Sequence, residues 1–299
     1  MAKVTVIGSA NTDLIVQTPR LPAAGETVLG SSFRQMPGGK GANQAVAAAR
    51  AGATVTFAAC VGMDDLGDAA IAGWTAEGIN TAFVHQTPEA NSGVALIMVD
   101  DAGENCIAVA SGANTHFDAA RVHAVESAIA SADIVLLQLE IPLDAVMEAL
   151  NIAAKHRIPV ILNPAPVRAL PARAWQHIAY LTPNSQEASA LAALEQEPSL
   201  ADALLKKGPR AVITTLGAEG ALLTTARASI KVSGHQVDVV DSTGAGDAFN
   251  GALATALAEG SDIENAVRFA NAAAALSVSH LGAQSAPERA QIESFVQKL

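Results

Sequence analysis

At 299 residues and a net charge of −11, the chain is long for a single core and too acidic for nucleic acid or an anionic membrane surface to be its main partner. Half of the residues are hydrophobic but only 3% are aromatic, which favours Ala- and Val-rich helices on a buried sheet over an aromatic β-sandwich. Two cysteines, Cys60 and Cys106, offer neither a disulfide framework nor metal-ligand spacing, and both are expected to be small buried hydrophobes in a reducing cytosol.

In chain order, Val4-Thr5-Val6-Ile7 is a short β-branched run closed by Gly8-Ser9, and it predicts a strand buried on both faces. A strand starting at Lys3 leaves no signal peptide to be expected, and no apolar run is long enough to span a bilayer. Residues just past a strand often contact ligand in open α/β sheets. Here these are Asn11, which donates and accepts, and Asp13, which accepts when ionised. The pair suits the vicinal hydroxyls of a sugar, or else an ordinary polar turn. Residues 17–35 show no helical period, so short strands and turns outside the main sheet are expected. Pro37-Gly38-Gly39-Lys40-Gly41-Ala42-Asn43-Gln44 predicts a glycine turn opening a helix that runs to Ala51. It is not a P-loop, since no Ser or Thr follows Lys40, nor is it a dinucleotide fingerprint. Lys40 and Asn43 stand three apart and reach the same side of the helix start, while Gly38-Gly39 can hinge.

A strand is expected from Thr54 to Val61 and an amphipathic helix from Leu66 to the glycine cap Gly78. Gly93 to Val99 and Asn105 to Ala110, on either side of Asp100-Asp101-Ala102-Gly103, form a β-hairpin signature with no intervening helix. With Leu14 to Gln35 it can make a small separate sheet, placed as a lid over the strand ends. From Asp118 onward, helices at 119–131, 143–156, 185–194 and 200–207 alternate with strands at 134–139, 160–162, 178–181 and 211–215. This predicts a doubly wound, largely parallel sheet. Its strand ends carry Glu140, Asn163-Pro164-Ala165-Pro166, Asn184-Ser185-Gln186-Glu187 and Thr215-Leu216-Gly217-Ala218-Glu219-Gly220, which should converge on one crevice. Asn184 with Glu187 three residues later is also a variant of the capping box. The seven histidines are scattered, with no pair at ligand spacing. Residues 269–276 read as a tightly packed Ala-rich helix.

The chemistry concentrates at Asp241-Ser242-Thr243-Gly244-Ala245-Gly246-Asp247. A β-like run, Val237 to Val240, precedes it and a small-residue helix, Ala248 to Leu257, follows. A glycine turn entering a helix leaves backbone N–H groups unpaired at the positive end of the helix dipole, which is an anion site. Asp247 places a carboxylate beside it. An anion hole next to a proton acceptor is what phosphoryl transfer to a hydroxyl requires; the alternative is a helix start in which Asp247 merely serves the dipole.

Taken together, Gly8 to Asp13, Gly38 to Ala45, Gln138-Leu139-Glu140, Asn163 to Pro166, Thr182 to Glu187, Thr215-Leu216-Gly217 and Asp241 to Phe249 resemble the PfkB carbohydrate kinases, in their ribokinase branch, along essentially the whole chain. The resemblance implies an α/β domain of residues 1–10, 37–90 and 112–299 with a discontinuous β lid of residues 11–36 and 91–111 that forms a homodimer interface. It implies ATP-dependent phosphorylation of D-ribose at its 5-hydroxyl in the cytoplasm. Another sugar or nucleoside kinase of the family, such as a deoxyribokinase, and a sugar-binding regulator without catalysis stay open. Asp247 is then the catalytic base, with the amides of Gly244, Ala245 and Gly246 as the anion hole. Asn11, Thr12, Asp13, Gly39, Lys40, Gly41, Ala42, Asn43 and Glu140 match sugar-contacting positions. Asn184, Asn271 and the turn Thr215, Leu216, Gly217, Ala218, Glu219, Gly220 match nucleotide-contacting positions, together with Gly246 and Asp247. Glu187 matches the residue tied through water to Mg²⁺. Asp241, Thr243, Ser277, His280 and Gly282 match a K⁺ site built mostly from carbonyls. The family usually completes that site with a serine two residues after the position of Gln284. Here that residue is Ala286, with Ser285 just before it.

Overall fold

Strands covered by helices on both sides must be apolar on both faces, and the centre of this molecule is built from such runs. The computed structural model describes residues 1–195 and 200–298. Its strands are Lys3–Ile7 (β1), Asn11–Gln17 (β2), Ser32–Gly38 (β3), Thr54–Gly62 (β4), Asn80–Thr87 (β5), Gly93–Val99 (β6), Asn105–Ala110 (β7), Ile134–Leu137 (β8), Val160–Leu162 (β9), Tyr180–Leu181 (β10), Ala211–Thr215 (β11), Gly220–Thr225 (β12) and Ser229–Ser233 (β13). The helices are Lys40–Arg50 (α1), Asp65–Ala76 (α2), Ala119–Ala124 (α3), Glu126–Ser131 (α4), Leu143–His156 (α5), Ser185–Glu195 (α6), Leu200–Leu205 (α7), Ala245–Ala258 (α8), Ile263–Ser277 (α9) and Arg289–Gln297 (α10).

Among the described residues, nine strands form one sheet in the order β13-β12-β11-β10-β9-β8-β1-β4-β5, and four form a second in the order β3-β2-β6-β7. From β5 to β11 every pairing is parallel; β12 and β13 add an antiparallel hairpin at one edge. The doubly wound sheet with a small separate sheet is therefore the observed architecture. Alternation along β8 shows the two-sided burial: Ile134 and Leu136 enter one apolar core, Val135 and Leu137 the other. The first core is closed by α1, α2, α8, α9 and α10, the second by α3 to α7. Each of these large side chains contributes roughly 1.5–3 kcal/mol by leaving water.

The contact between α1 and α8 fixes how the N-terminal turns of these two helices face each other. It is built on small residues, and at Gly251 the helices meet almost backbone to backbone. A Cβ there would stand 2.5 Å from the Ala47 Cβ and 2.6 Å from the Ala48 nitrogen. Thr255 locks the seam by donating its hydroxyl to the Ala48 carbonyl at 3.1 Å.

Several expectations need correction. No strand forms at 237–240. Its β-branched residues have the propensity, but no strand lies alongside to pair with; Val239 and Val240 are exposed, and the Val240 N–H donates to the Val278 carbonyl at 2.8 Å. The helix expected over 119–131 breaks at Val125, which joins α3 to α4. Strand β5, the β12–β13 hairpin and α10 are additional elements. Asn11 and Asp13 do not lie in a turn after β1 but open β2, in the small sheet. Cys60 is buried as expected, whereas Cys106 is exposed on β7, an edge strand with every residue exposed. None of the described helices is long and apolar enough to cross a membrane.

Candidate active site

Strand β1 pairs with β4 on one side and β8 on the other. The chain order reverses there, which opens a crevice at the strands' carboxyl ends. Ser9, just past β1, donates its hydroxyl to Glu140 Oε2, just past β8, at 2.5 Å. The Lys40 N–H, at the start of α1, donates to the same oxygen at 3.1 Å. Because α1 lies against α8, its next residues reach the α8 N-terminus. Asn43 Nδ2 donates to Asp247 Oδ2 at 2.9 Å, and Gln44 Nε2 donates to Asp247 Oδ1 at 2.8 Å.

These groups form one electrostatic unit. Burial raises the Asp247 carboxyl above its ordinary value, and Glu140 adds to this; the Lys40 charge and the hydrogen bonds from Asn43 and Gln44 oppose it without cancelling it. For Lys40, burial alone would lower the ammonium, but Asp247, Glu140 and Glu187 outweigh it and hold it above its usual value. Asp13 is pushed from 3.8 to about 6, first by burial and then by Glu140 and Asp247. A buried, partnered carboxylate of raised proton affinity beside a lysine is suited to accept a proton from a hydroxyl.

The residues expected to contact a sugar sort by geometry. Asn11, Asp13, Lys40, Asn43 and Glu140 gather around the crevice, with Gly39, at φ 88°, turning the chain into α1. Asn11 Oδ1 accepts from Asn114 Nδ2 at 2.8 Å, which leaves the Asn11 amide nitrogen as its open donor. Gly41 and Ala42 do not offer groups to the crevice. Their N–H groups go to Ser9, at 3.3 Å to its hydroxyl and 2.9 Å to its carbonyl, and the Ala42 methyl enters the core. Thr12 is buried on the opposite face of β2 from Asp13, as strand alternation requires.

Beside the crevice lies a largely apolar cavity of 360 Å³ lined by Thr215, Gly217, Ala218, Gly220, Gly246 and Asn271, and closed by Phe249 and residues 234–237. Asn271 is fixed by donating to the Val232 and Ser233 carbonyls, both at 3.2 Å. Leu216 and Glu219 do not line it; Glu219 turns outward to Lys231 at 2.5 Å. Asn184 and Glu187 form the reciprocal cap, each accepting from the other's backbone N–H at 2.8 Å. Glu187 Oε2 serves that cap, and the carboxyl is raised mainly by burial. At the cavity's inner end α8 begins. Gly244, at φ 78°, allows a turn in which a Cβ would lie 2.2 Å from the Ala283 carbonyl. The Ala245 N–H turns back to the Ser242 carbonyl at 3.3 Å, while those of Gly246 and Asp247 have no acceptor among the described residues. The unpaired donors at this helix start are thus the N–H groups of Gly246 and Asp247 rather than that of Ala245.

Asp241 binds the chain of the C-terminal loop. Its oxygens accept from the Thr243 N–H at 2.9 Å and the Gly282 N–H at 2.8 Å. Burial would raise its carboxyl, but these hydrogen bonds win and hold it below its ordinary value. The His280 side chain is exposed, while Ser277 is buried. The Ser285 hydroxyl is buried with no hydrogen-bond partner, and Ala286 packs its methyl inside. Among the described residues, no three His, Cys, Asp or Glu side chains cluster to hold a metal ion.

Sequence reasoning gave no role to several polar side chains that hold the site. Gln44, Gln138, Asn163, Thr182 and Asn250 are all buried, and Asn114 orients Asn11. For Gln138, Asn163 and Thr182 the available signal was their position directly after β8, β9 and β10.

The chain matches the pfkB family carbohydrate kinase model over residues 1–290. It is 43% identical to the ribokinase of Bacillus subtilis, covering 99% of this chain and all of that one. A solved ribokinase of Thermotoga maritima superposes with a TM-score of 0.93 at 36% identity, covering 99% of this chain and 100% of that one. The ribokinase of Arabidopsis thaliana, solved with ribose and ATP, gives 0.92 at 33% identity, covering 99% of each chain.

Proposed function

The chain belongs to the pfkB family of carbohydrate kinases, and we propose that it transfers the γ-phosphoryl group of ATP to the 5-hydroxyl of D-ribose, giving ribose 5-phosphate and ADP. The observation that carries this is Asp247: a buried carboxylate of raised proton affinity, gripped by two amides, at a helix start with free N–H groups. The sugar lies among Asn11, Asp13, Lys40, Asn43 and Glu140, with its 5-hydroxyl at Asp247. Asp247 takes the hydroxyl proton, the freed oxygen attacks the γ-phosphorus, and the bond to the ADP oxygen breaks. The Gly246 and Asp247 amides hold the phosphoryl oxygens as charge develops. ATP occupies the cavity of Thr215 to Gly220 and Asn271.

Mg²⁺, held through water by Glu187 and by the nucleotide's phosphates, would neutralise phosphoryl charge when bound. Glu187 suits this because its cap engages Oε2 and it feels Asp247 and Lys40. K⁺ would sit at Asp241 with carbonyls of Thr243, Ser277, His280 and Gly282. The orphaned Ser285 hydroxyl is the candidate to replace the serine missing at Ala286. Residues 11–36 and 91–111 are assigned as the lid, and the rest as the α/β domain. Use of ATP and the two unpaired cysteines favour the cytoplasm.

The deciding experiment is ADP release with ribose, 2-deoxyribose, fructose and adenosine, each with and without K⁺. Ribose is expected to turn over fastest, because Asn11 presents a donor that a missing hydroxyl would leave unpaired. Equal rates on 2-deoxyribose would move the assignment to a deoxyribokinase, and ribose binding with no ADP would indicate a regulator. Loss of K⁺ is expected to lower turnover; an unchanged rate removes K⁺ from the site.

We also propose a homodimer through the small sheet. Phe33 and Leu96 are 63% and 53% exposed on the face of that sheet opposite Asp13, and large apolar side chains left open together on one sheet face suit a partner surface. Sedimentation at micromolar concentration is expected to give twice the chain's 30.3 kDa; a monomer at all concentrations excludes it.

A further inference from the structure

Asp247 belongs to a closed ring of hydrogen-bonded side chains and backbone carbonyls. Gln138 Nε2 donates to Gln44 Oε1 at 2.6 Å. Gln44 Nε2 then donates to both Asp247 Oδ1, at 2.8 Å, and Asn163 Oδ1, at 3.1 Å. Asn163 Nδ2 donates to the Thr182 carbonyl at 3.0 Å, and the Thr182 hydroxyl donates to Asn250 Oδ1 at 2.6 Å. Asn250 Nδ2 closes the ring on the Gly246 carbonyl at 2.8 Å. That carbonyl belongs to the same rigid peptide plane as the Asp247 N–H. The ring therefore holds the carboxylate on one side and the Gly246–Asp247 peptide on the other, through the ends of β9 and β10, with Gln138 past β8 bracing Gln44 from outside it.

Donor direction is fixed around it. Gln44 Oε1 is occupied by Gln138, so its nitrogen must be the atom facing Asp247. Reversing Gln44 would set nitrogen against nitrogen at Gln138. All of these side chains except Gln138 have their amide or hydroxyl oxygens engaged; Gln138 Oε1 is buried without a partner, 1.9 Å from where a Cβ on Gly8 would stand.

From this we infer that Gln44 is a positioning residue for phosphoryl transfer: through the Asn163–Thr182–Asn250 ring it aligns the Asp247 carboxylate and the Gly246–Asp247 peptide with each other. The inference rests on the kinase reading of Asp247. It separates two jobs within the glycine-rich segment: Lys40 and Asn43 face the crevice, while Gln44, fully buried, serves the base from behind.

Two measurements test it. In the first, Gln44→Glu keeps the size and the bond from Gln138 but replaces the donor facing Asp247 with an acceptor. Its kcat is expected to fall about 10–100-fold, as misalignment by a fraction of an ångström does, with the ribose KM within about threefold of wild type. The acidic limb of the kcat–pH profile should move to higher pH by about one unit or more. Asp247 also faces Lys40 from α1, Glu140 past β8, Asp13 on β2 and Glu187 on α6, and none of these is altered. A kcat and an acidic limb both unchanged would overturn the proposal. Where Gln44→Glu does not fold, Asn163→Ala, which touches neither Asp247 nor the crevice, is expected to lower kcat about tenfold at constant KM; a wild-type kcat overturns it.

The second measurement needs no turnover. Carboxyl ¹³C resonances of the free protein, with the Asp247 signal assigned by its loss in Asp247→Asn, are titrated in wild type and Gln44→Glu, or in Asn163→Ala if the former is unfolded. An upward displacement of the Asp247 midpoint supports the ring even if ribose is the wrong sugar. An unmoved midpoint overturns it even if ribose is right.

Discussion

Asp247→Asn is expected to lower kcat for ribose by about 10²–10⁴-fold, the range contributed by a positioned general base, while the sugar KM changes far less. The split follows from where the charge acts. The proton is taken only as the hydroxyl attacks, so its loss falls on the transition state. The variant should keep its fold. Asp247 accepts from Asn43 on one oxygen and from Gln44 on the other, and the new amide can accept on only one. Gln44 cannot turn, because Gln138 and Asn163 hold it. Asn43 can, because its Oδ1 is buried without a partner and can receive the new N–H. Steady-state kinetics with matched circular dichroism check this, and near-normal turnover would remove Asp247 as the base.

Asp13→Asn is expected to lower kcat/KM for ribose by about 10²–10³-fold, since a buried charged acceptor facing a hydroxyl is lost, and at the same time to stabilise the free protein. The second effect comes from the raised carboxyl. Asp13 has an ordinary value of 3.8 and stands at about 6 in the folded chain, so the folded state holds its proton more tightly than the unfolded one. Stability is undiminished below pH 3.8 and is lost as pH rises through 6. That gap corresponds to at most about 3 kcal/mol. Removing the charge should therefore raise Tm at pH 7.5 by about 3–8 °C, with the gain shrinking as pH falls from 6 toward 4. Thermal melts of both proteins across this range decide it; a gain that grows on acidification would contradict the burial of a charged Asp13.

The central sheet was legible because strands buried on both sides announce themselves. Val4 to Ile7, Val160 to Leu162 and Ala211 to Thr215 carry apolar runs that neighbouring helices require. The hairpin of β6 and β7 was legible through its turn at Asp100 to Gly103. Edge strands were not. In β5 exposed and partly buried residues mix, so Asn80 to Thr87 has no clean run. The start of β12 coincides with Gly220, which reads as the end of a turn. Val237 to Val240 misled in the opposite sense, because propensity is local and pairing is not. The same division holds in the site. Asp247, Lys40 and Asn43 stand in glycine-rich segments whose form points to ligands. Gln44 and Asn163 act through partners 203 and 119 positions apart, and no pattern within one segment encodes such a meeting.

The α1–α8 seam has a consequence for how the protein comes into being. It brings Gln44 to Asp247 across 203 residues, so the base can be seated only after nearly the whole chain has been made. Contacts of such separation slow folding, because the long loop must close before they reward it. Until α8 docks, the small-residue face of α1 and the amides of Asn43 and Gln44 stand open to water, with nothing to hold. A chain that stops short of α8 keeps Lys40, Asn43 and Gln44 but lacks Asp247 and the N–H groups of the α8 turn that face them.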